Sequence, residues 1–402
     1  MDRSDTLVVL PTLPVRVTPT GRVALTEKFV DGMREYLSLW GGPVSAFMEP
    51  SDAPTSNLDE REYEPSDLPF QLQVVSFLDP GLGPLLAGHR LAHCAVNYRQ
   101  NHLGGLCRAI GVPCVYTSEY SLQTRWQVIR ASRVNPLITL RRGWWEYRQE
   151  VAQRRAIRLA AGVQCNGTPT FEAYKAISPS PLLYFDTRVS EDMLVAEAEL
   201  AARTEHLRCG GGPLRLLFSG RLIAMKGADH LIAVADELRT LGTPFKMTIC
   251  GDGALLPEMK AEIARRNLGE LVELAGNLDF KAELLPRTRR GADLFVCCHR
   301  TGDPSCSYLE VMSCGVPIVG YDNEAFLGIA RESGVGWTSP MGKPRLLAQR
   351  IDALNRDRAA VVEASHGAVE FGRRHTFNRT FRARIEHMKA CAGPARLGQV
   401  VR

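Results

Sequence analysis

The sequence predicts an α/β protein built from two Rossmann-like, doubly wound domains facing each other across a cleft. Three observations carry this prediction. The chain has 402 residues, too many for one ordinary core and enough for two. From residue 214 onward, short apolar runs alternate with helix-length stretches, the pattern of a parallel sheet with crossover helices. The run Gly210-Gly211-Gly212-Pro213 breaks a helical segment just before that alternation starts, so the domain boundary is placed there. Residues 1–208 form the first domain, 209–370 the second, and 371–402 a helical tail expected to pack back on the first.

In chain order, "TLVVLPTL" reads as a first core strand, followed by a loop through Gly21. "VALTEKFVDGMREYLSLWG" then places Phe29, Met33, Tyr36, Leu37 and Trp40 at helical spacing before Gly41-Gly42 stops the run. Residues 50–69 are acidic and proline-bearing and read as a loop. "FQLQVVSFL", "AHCAVNY", "PCVYTSEY" and "AAGVQCNG" read as further strands. The second half gives strand "LRLLFSGRL", helix 227–241, strand "FKMTICGDG", helix 255–267, strand "LVELAGN", helix 280–290, strand "ADLFVCCH", helix 307–314 and strand "PIVGYD". The stretch from Pro344 to Cys391 is largely helical, with a periodic segment at 345–354 and a basic one at 371–390.

Composition narrows the class. Hydrophobic residues at 45% and charged residues at 23% fit a folded globular protein. A net charge of +5 is mild for this length, which argues against a dedicated nucleic-acid binder and suits an anionic small substrate or an acidic membrane surface. The eleven cysteines include no C-x2-C pair, so reduced thiols in a cytoplasmic protein are expected. The N-terminal "MDRSDTLVVLPTLPVRV" fits neither a signal peptide nor a membrane span. Sequons at Asn166 and Asn378 would matter only in a secreted protein.

The chemistry concentrates in four stretches. "SGRLIAMKG" follows a strand and opens a helix, placing Arg221 and Lys226 at the carboxyl edge of the sheet, where open α/β sheets bind ligands. Two cations at one helix entrance favour a diphosphate; two solvated surface charges are the other reading. "CGDGALLPEMK" brings Gly251 and Gly253 to the next strand end but lacks the third glycine of the dinucleotide fingerprint, as does "GLGPLL" at 81–86. Turn chemistry explains these glycines nearly as well as a nucleotide. In "GDPSCSYLEVMSCGVPIVGYD", Ser305, Cys306 and Ser307 open a helix whose first N–H groups are free donors. Glu310, inside the first turn, suits either a ligand or the helix dipole.

Taken together, "FSGRLIAMKG", "ICGDG", "ELAGNL" and "GDPSCSYLEVMSCGVPIVGYD", in this order across residues 214–340, resemble the nucleotide-sugar domain of retaining glycosyltransferases with the GT-B fold, glycosyltransferase family 4 (glycosyl transferases group 1). The resemblance implies that Arg221 and Lys226 bind the donor diphosphate and Glu310 the donor ribose, with Gly251, Asn277, Leu278, Ser305, Cys306 and Ser307 also on the donor side. The family's first glutamate, eight positions before Glu310, is Gly302 here, and Asp303 is the obvious substitute. The first half resembles the family more loosely. Its glycine-rich loop after the first strand is reduced to "TPTGRV", leaving Gly21, with Arg22 beside it. Where some relatives carry an active-site histidine at a strand end, "VYTSEY" offers Glu119, an ordinary surface acid being the other reading; His89, His93 and His102 are rivals, each read more readily as a structural or exposed histidine.

The implied catalytic set is therefore Asp303, Glu119, Arg221 and Lys226. The implied reaction moves a sugar from a nucleoside diphosphate sugar to a hydroxyl with retention, the departing phosphate taking the acceptor proton on the same face. The chain contains no Asp-x-Asp, so no metal is expected, and no other cofactor. A saccharide or lipid-linked acceptor is expected, as in exopolysaccharide or glycolipid assembly. A non-catalytic nucleotide-sugar-binding protein and a nucleotide-sugar epimerase or dehydrogenase on a similar scaffold are the alternatives. Finally, Gln123–Arg158 holds nine arginines against two glutamates, with Trp126, Trp144 and Trp145 interleaved. An anionic membrane interface selects that composition, which would place the protein peripherally on the cytoplasmic face; a solvated helix face with buried tryptophans is the other reading. No recognised nucleic-acid motif accompanies it.

Overall fold

The structure is a computed structural model that describes residues 5–51, 60–131, 135–210 and 212–393. Seven parallel strands form the first sheet, in the order Pro181–Tyr184, Gly162–Asn166, Cys114–Ser118, Leu91–Ala95, Leu7–Val9, Val44–Met48, Gln71–Val74. Six parallel strands form the second: Val272–Gly276, Phe245–Cys250, Leu214–Ser219, Leu294–Cys297, Ile318–Tyr321, Trp337–Ser339. In both, the earliest strand lies inside the sheet and the chain winds outward to either side, so each carboxyl edge has a switch point where ligands bind in such folds.

The alternation expected in the second half is present, with the helices Ala228–Thr240, Leu256–Arg265 and Ser307–Ser313 between the strands. The expected helix at 280–290 begins as a π turn, Phe280–Leu284, and continues as Leu285–Gly291. The first half departs from the reading in three places. "VALT" is not helical: Val23–Thr26 pairs antiparallel with Arg16–Val17 and with Glu60–Tyr63 in a small third sheet, and the helix starts at Glu27, where the Thr26 hydroxyl accepts from the Phe29 N–H. Part of the expected 50–69 loop is therefore strand; its charges hide it, since Arg16 bonds Glu60 at 2.8 Å across the sheet. The remainder, 52–59, lies outside the described residues. Val44–Met48 and Pro181–Tyr184 are strands that the sequence reading did not assign.

Gly210, in the left-handed region, caps the helix Glu197–Cys209, and that helix already belongs by packing to the second core. Phe185 and Leu207 are members of the second core cluster, and Arg203 donates to the Cys314 carbonyl at 2.7 Å. The chain thus leaves the first sheet near Phe185, ahead of the boundary placed at 208/209. It returns through the helix Phe377–Ala392, whose Phe381, Ile385 and Met388 are buried among the first-domain core residues.

Candidate functional site

The carboxyl edge of the second sheet is assembled by loops lying directly against one another. A Cβ on Gly251 would come within 2.0 Å of the Gly220 carbonyl oxygen, and one on Gly227 within 1.9 Å of the Cys298 carbonyl oxygen. Only glycine permits these approaches, so Gly251 has a structural reason to be glycine. Asn277 is exposed beside it and Leu278 is half-buried against the second core.

Lys226 ends the short turn Ala224–Lys226 and is buried. Its Nζ forms an ion pair with Asp303 and donates to Ser305 Oγ at 3.0 Å, while Ser305 and Ser307 hydroxyls lie 2.8 Å apart. From the first domain, the Tyr120 hydroxyl donates to Asp303 Oδ1 at 3.0 Å. Burial, then Asp303, pushes the Tyr120 phenol well above its usual range, so it stays a neutral donor; Arg221 opposes this shift through its charge, which places its guanidinium in the same electrostatic environment. Arg221 is exposed and pairs with no acid among the described residues.

Why position 302 is glycine is visible in the structure. The Gly302 N–H donates to Gln127 Oε1 at 2.7 Å, and a Cβ there would meet Thr124 Oγ1 and Glu324 Oε2, each at 2.9 Å. The first-domain helix Leu122–Ala131 is packed onto this loop, so a larger residue would have to displace the Thr124 and Glu324 side chains. Asp303, one residue on, turns toward Lys226 instead.

Glu310 is buried and accepts from Arg188 Nε at 2.7 Å; the Arg188 guanidinium sits 3.7 Å from the Phe280 ring centroid. Cys306 Sγ lies 3.5 Å from Asp186 Oδ2. Burial raises the thiol's pKa far above normal, Asp186 and Glu310 add to that, and Lys28 opposes it, which brings Lys28, at the start of the helix Glu27–Trp40, into the electrostatics of the same site.

Glu119 forms the first-domain wall. It accepts from Asn166 Nδ2 at 2.8 Å and from the Tyr184 hydroxyl at 3.4 Å. Although it opens onto solvent, the protein crowded around it raises its carboxyl above the usual range, the Asn166 bond opposes this, and Asp186 adds to the rise. Behind it lies Arg384 from the last helix, bonded to Gln164 Oε1 at 2.8 Å and stacked 4.5 Å from the Tyr184 ring centroid. The three rival histidines are structural. His93 bonds Thr117 Oγ1 at 2.8 Å, His89 bonds Ser45 Oγ at 3.0 Å, and His102 bonds the Phe77 carbonyl at 2.9 Å. Burial lowers the His93 pKa to about 3, with Arg384 assisting, which keeps it neutral.

Of the expected site residues, Lys226, Asp303, Ser305 and Ser307 form one cluster; Cys306 and Glu310 follow in the same turn and helix and contact Asp186 and Arg188, while Glu119 bonds Asn166 and Tyr184 on the first domain. Gly21 is not brought there. It sits exposed at the tip of an antiparallel turn, its N–H bonded to the Thr18 carbonyl at 2.9 Å, and Arg22 beside it pairs with Glu64 at 3.2 Å. Tyr120, Asn166, Asp186, Arg188 and Arg384 were absent from the sequence-derived set. Asp186 carries a signal that was open to reading, a carboxylate just past an apolar strand, but that strand begins with proline and was not assigned.

Residues 205–375 match the family model described as glycosyl transferases group 1. AmsK of Erwinia amylovora, an amylovoran biosynthesis glycosyltransferase, is 31% identical over 157 residues, 37% of this chain and 38% of that protein. Alpha-D-kanosaminyltransferase of Streptomyces kanamyceticus is 26% identical over 212 residues, 51% of this chain and 54% of that protein. The chain thus spans between about two fifths and half of the length of these curated relatives. Among solved structures, Anabaena HepE in complex with UDP superposes with a TM-score of 0.64 at 14% identity, covering 96% of this chain and 98% of that one. The chain has the GT-B fold, and its segment 205–375 is similar to the glycosyl transferases group 1 model.

Proposed function

We propose that the protein is a retaining glycosyltransferase that moves a sugar from a nucleoside diphosphate sugar to a hydroxyl acceptor in polysaccharide or glycolipid assembly. The observation that carries this reading is the buried Lys226 ammonium, held by Asp303 and Ser305 at the carboxyl edge of the second sheet, inside the segment that matches the group 1 model. Without ligand, Asp303 compensates a charge that would otherwise be costly to bury. A diphosphate brings its own negative charge to the same ammonium. As the sugar leaves, charge grows on that diphosphate, so Lys226 and the exposed Arg221 stabilise the transition state more than the ground state. The reading requires no divalent ion, because these two cations meet the leaving-group charge. Asp303 holds Lys226 in register and faces the donor sugar; Glu310 and Arg188 border the ribose; Glu119 orients the acceptor hydroxyl from the opposite wall. The departing phosphate accepts the acceptor proton on the same face, so the protein supplies position rather than a strong base. Support for polysaccharide assembly comes from the function named for AmsK.

The test is a thermal-shift screen against UDP-, GDP- and ADP-sugars, followed by proton NMR of the anomeric centre after transfer or slow hydrolysis. One donor class should raise Tm, and the product should keep the donor's anomeric configuration. An inverted product would overturn retention. The glycine at 302 favours a second reading, a nucleotide-sugar-binding protein without turnover, and a Tm shift with neither transfer nor hydrolysis would select it.

A further inference from the structure

The long helix Pro136–Leu159 leaves seven large apolar or aromatic side chains exposed. Five of them, Leu137, Leu140, Trp144, Tyr147 and Val151, are 76%, 68%, 63%, 54% and 57% exposed. Their spacings of three and four residues place them in one stripe along the helix. Arg141, Arg148 and Arg155, spaced by seven, run beside that stripe, and all three are exposed. The helix has only two acids, and both turn the other way. Arg125 takes Glu146 at 3.2 Å and Glu150 at 2.6 Å, and Arg154 takes Glu150 at 2.8 Å. No acid among the described residues pairs with Arg141, Arg148 or Arg155. The inner face is closed by Trp126, whose ring lies where a Cβ on Gly143 would come within 1.9 Å; of the three tryptophans in this basic stretch, only Trp144 and Trp145 face out.

We infer that this outward face docks on an anionic lipid bilayer, the helix lying in the headgroup plane with the stripe immersed and the guanidinium groups on lipid phosphates. An apolar stripe with tryptophan and tyrosine, flanked by arginines stripped of counter-charge, matches such an interface in both polarity and sign. A second copy of the chain is a poorer occupant, because pairing stripe to stripe sets arginine rows against each other. Spanning is not implied: no described helix is long and apolar enough to cross a membrane. Trp145 meets Tyr98 edge-on at 5.8 Å between ring centroids, and Tyr98 lines a cavity of about 470 Å³ with Glu49, Asn97 and Arg99 at the carboxyl edge of the first sheet. Docking therefore brings that cavity beside the lipid interface. If the transferase reading holds, on which this clause alone rests, the acceptor is carried by a lipid.

The test is co-sedimentation with vesicles of equal parts phosphatidylglycerol and phosphatidylcholine, against phosphatidylcholine alone. Wild type should bind the mixed vesicles and be released by high salt. The triple variant Arg141→Ser, Arg148→Ser, Arg155→Ser should bind about a hundredfold more weakly, and Leu140→Ser with Trp144→Ser should also release it. All five positions are exposed, so thermal unfolding should be unchanged. Wild type that ignores mixed vesicles, a triple variant that binds like wild type, or equal binding to phosphatidylcholine alone would overturn the proposal. So would a dimer, seen by sedimentation velocity, that the stripe substitutions abolish in place of vesicle binding. Donor-induced Tm shifts on the same preparations report the transferase reading separately: losing the shift while keeping vesicle binding sinks that reading and leaves docking intact.

Discussion

Replacing Lys226 separates a structural charge from a functional one. Its side chain is 7% exposed and that of its partner Asp303 is 11% exposed, so water screens the pair little. In Lys226→Met, the Asp303 carboxylate keeps, among the described residues, only the Tyr120 hydroxyl at 3.0 Å. Removing one partner of a buried pair costs about 3–5 kcal/mol, and the surviving hydrogen bond puts this site near about 3 kcal/mol. Adding Asp303→Asn removes the stranded charge and should restore most of that stability, since two neutral groups replace two charged ones. Activity should behave differently. Both the single and the double variant lack the ammonium on the diphosphate and should lose about 2–4 kcal/mol in kcat/KM, roughly 30- to 1000-fold. Urea unfolding and donor-dependent turnover on the single and double variants close the cycle. Activity that returns together with stability in the double variant would refute the phosphate role, because Lys226 would then serve only to neutralise Asp303.

Three further outcomes are expected. In Glu119→Gln, turnover should fall while donor affinity holds, and the acid limb of the kcat profile, set above the ordinary carboxylate range by the crowding around Glu119, should vanish; an unchanged limb would remove Glu119 from the acceptor side. His93 has a folded pKa of about 3 against an ordinary 6.5, so the unfolded chain binds the extra proton in between: stability is complete above pH 6.5 and declines as pH falls toward 3, by at most about 5 kcal/mol. His93→Gln should flatten that decline in pH-dependent urea unfolding. Gly302→Ala should cost about 1–3 kcal/mol by overpacking against Thr124 and Glu324; a neutral result would show that the helix Leu122–Ala131 does not press on this loop.

The second domain was legible because its strands, such as Leu294–Cys297 and Ile318–Tyr321, are buried throughout and read as unbroken apolar runs between clear helices. The first was less so. Val44–Met48 follows directly on a Gly-Gly-Pro helix stop, and Glu60–Tyr63 is a strand of mostly charged residues whose two acids pair with the distant Arg16 and Arg22. The site divides the same way. Lys226, Asp303, Ser305 and Glu310 lie within one domain's motifs, whereas Tyr120, Asn166, Asp186 and Arg384 come together only through tertiary packing. Gly302 shows the limit most plainly. Its identity answers to a helix of the other domain, contact with which no local pattern encodes.

The two passages of the chain between the domains run side by side. The Phe377 N–H donates to the Val189 carbonyl at 2.8 Å, and Arg379 pairs with Glu191 at 2.9 Å, so the outgoing and returning segments are stitched together like the leaves of a door hinge. Elsewhere the halves meet through side chains, with Gln127 donating to Glu324 at 2.8 and 2.9 Å and Tyr120 reaching Asp303. Such contacts are readily exchanged for water. Parting the two sheets about the stitched segments would break only contacts of this kind and would leave both cores whole.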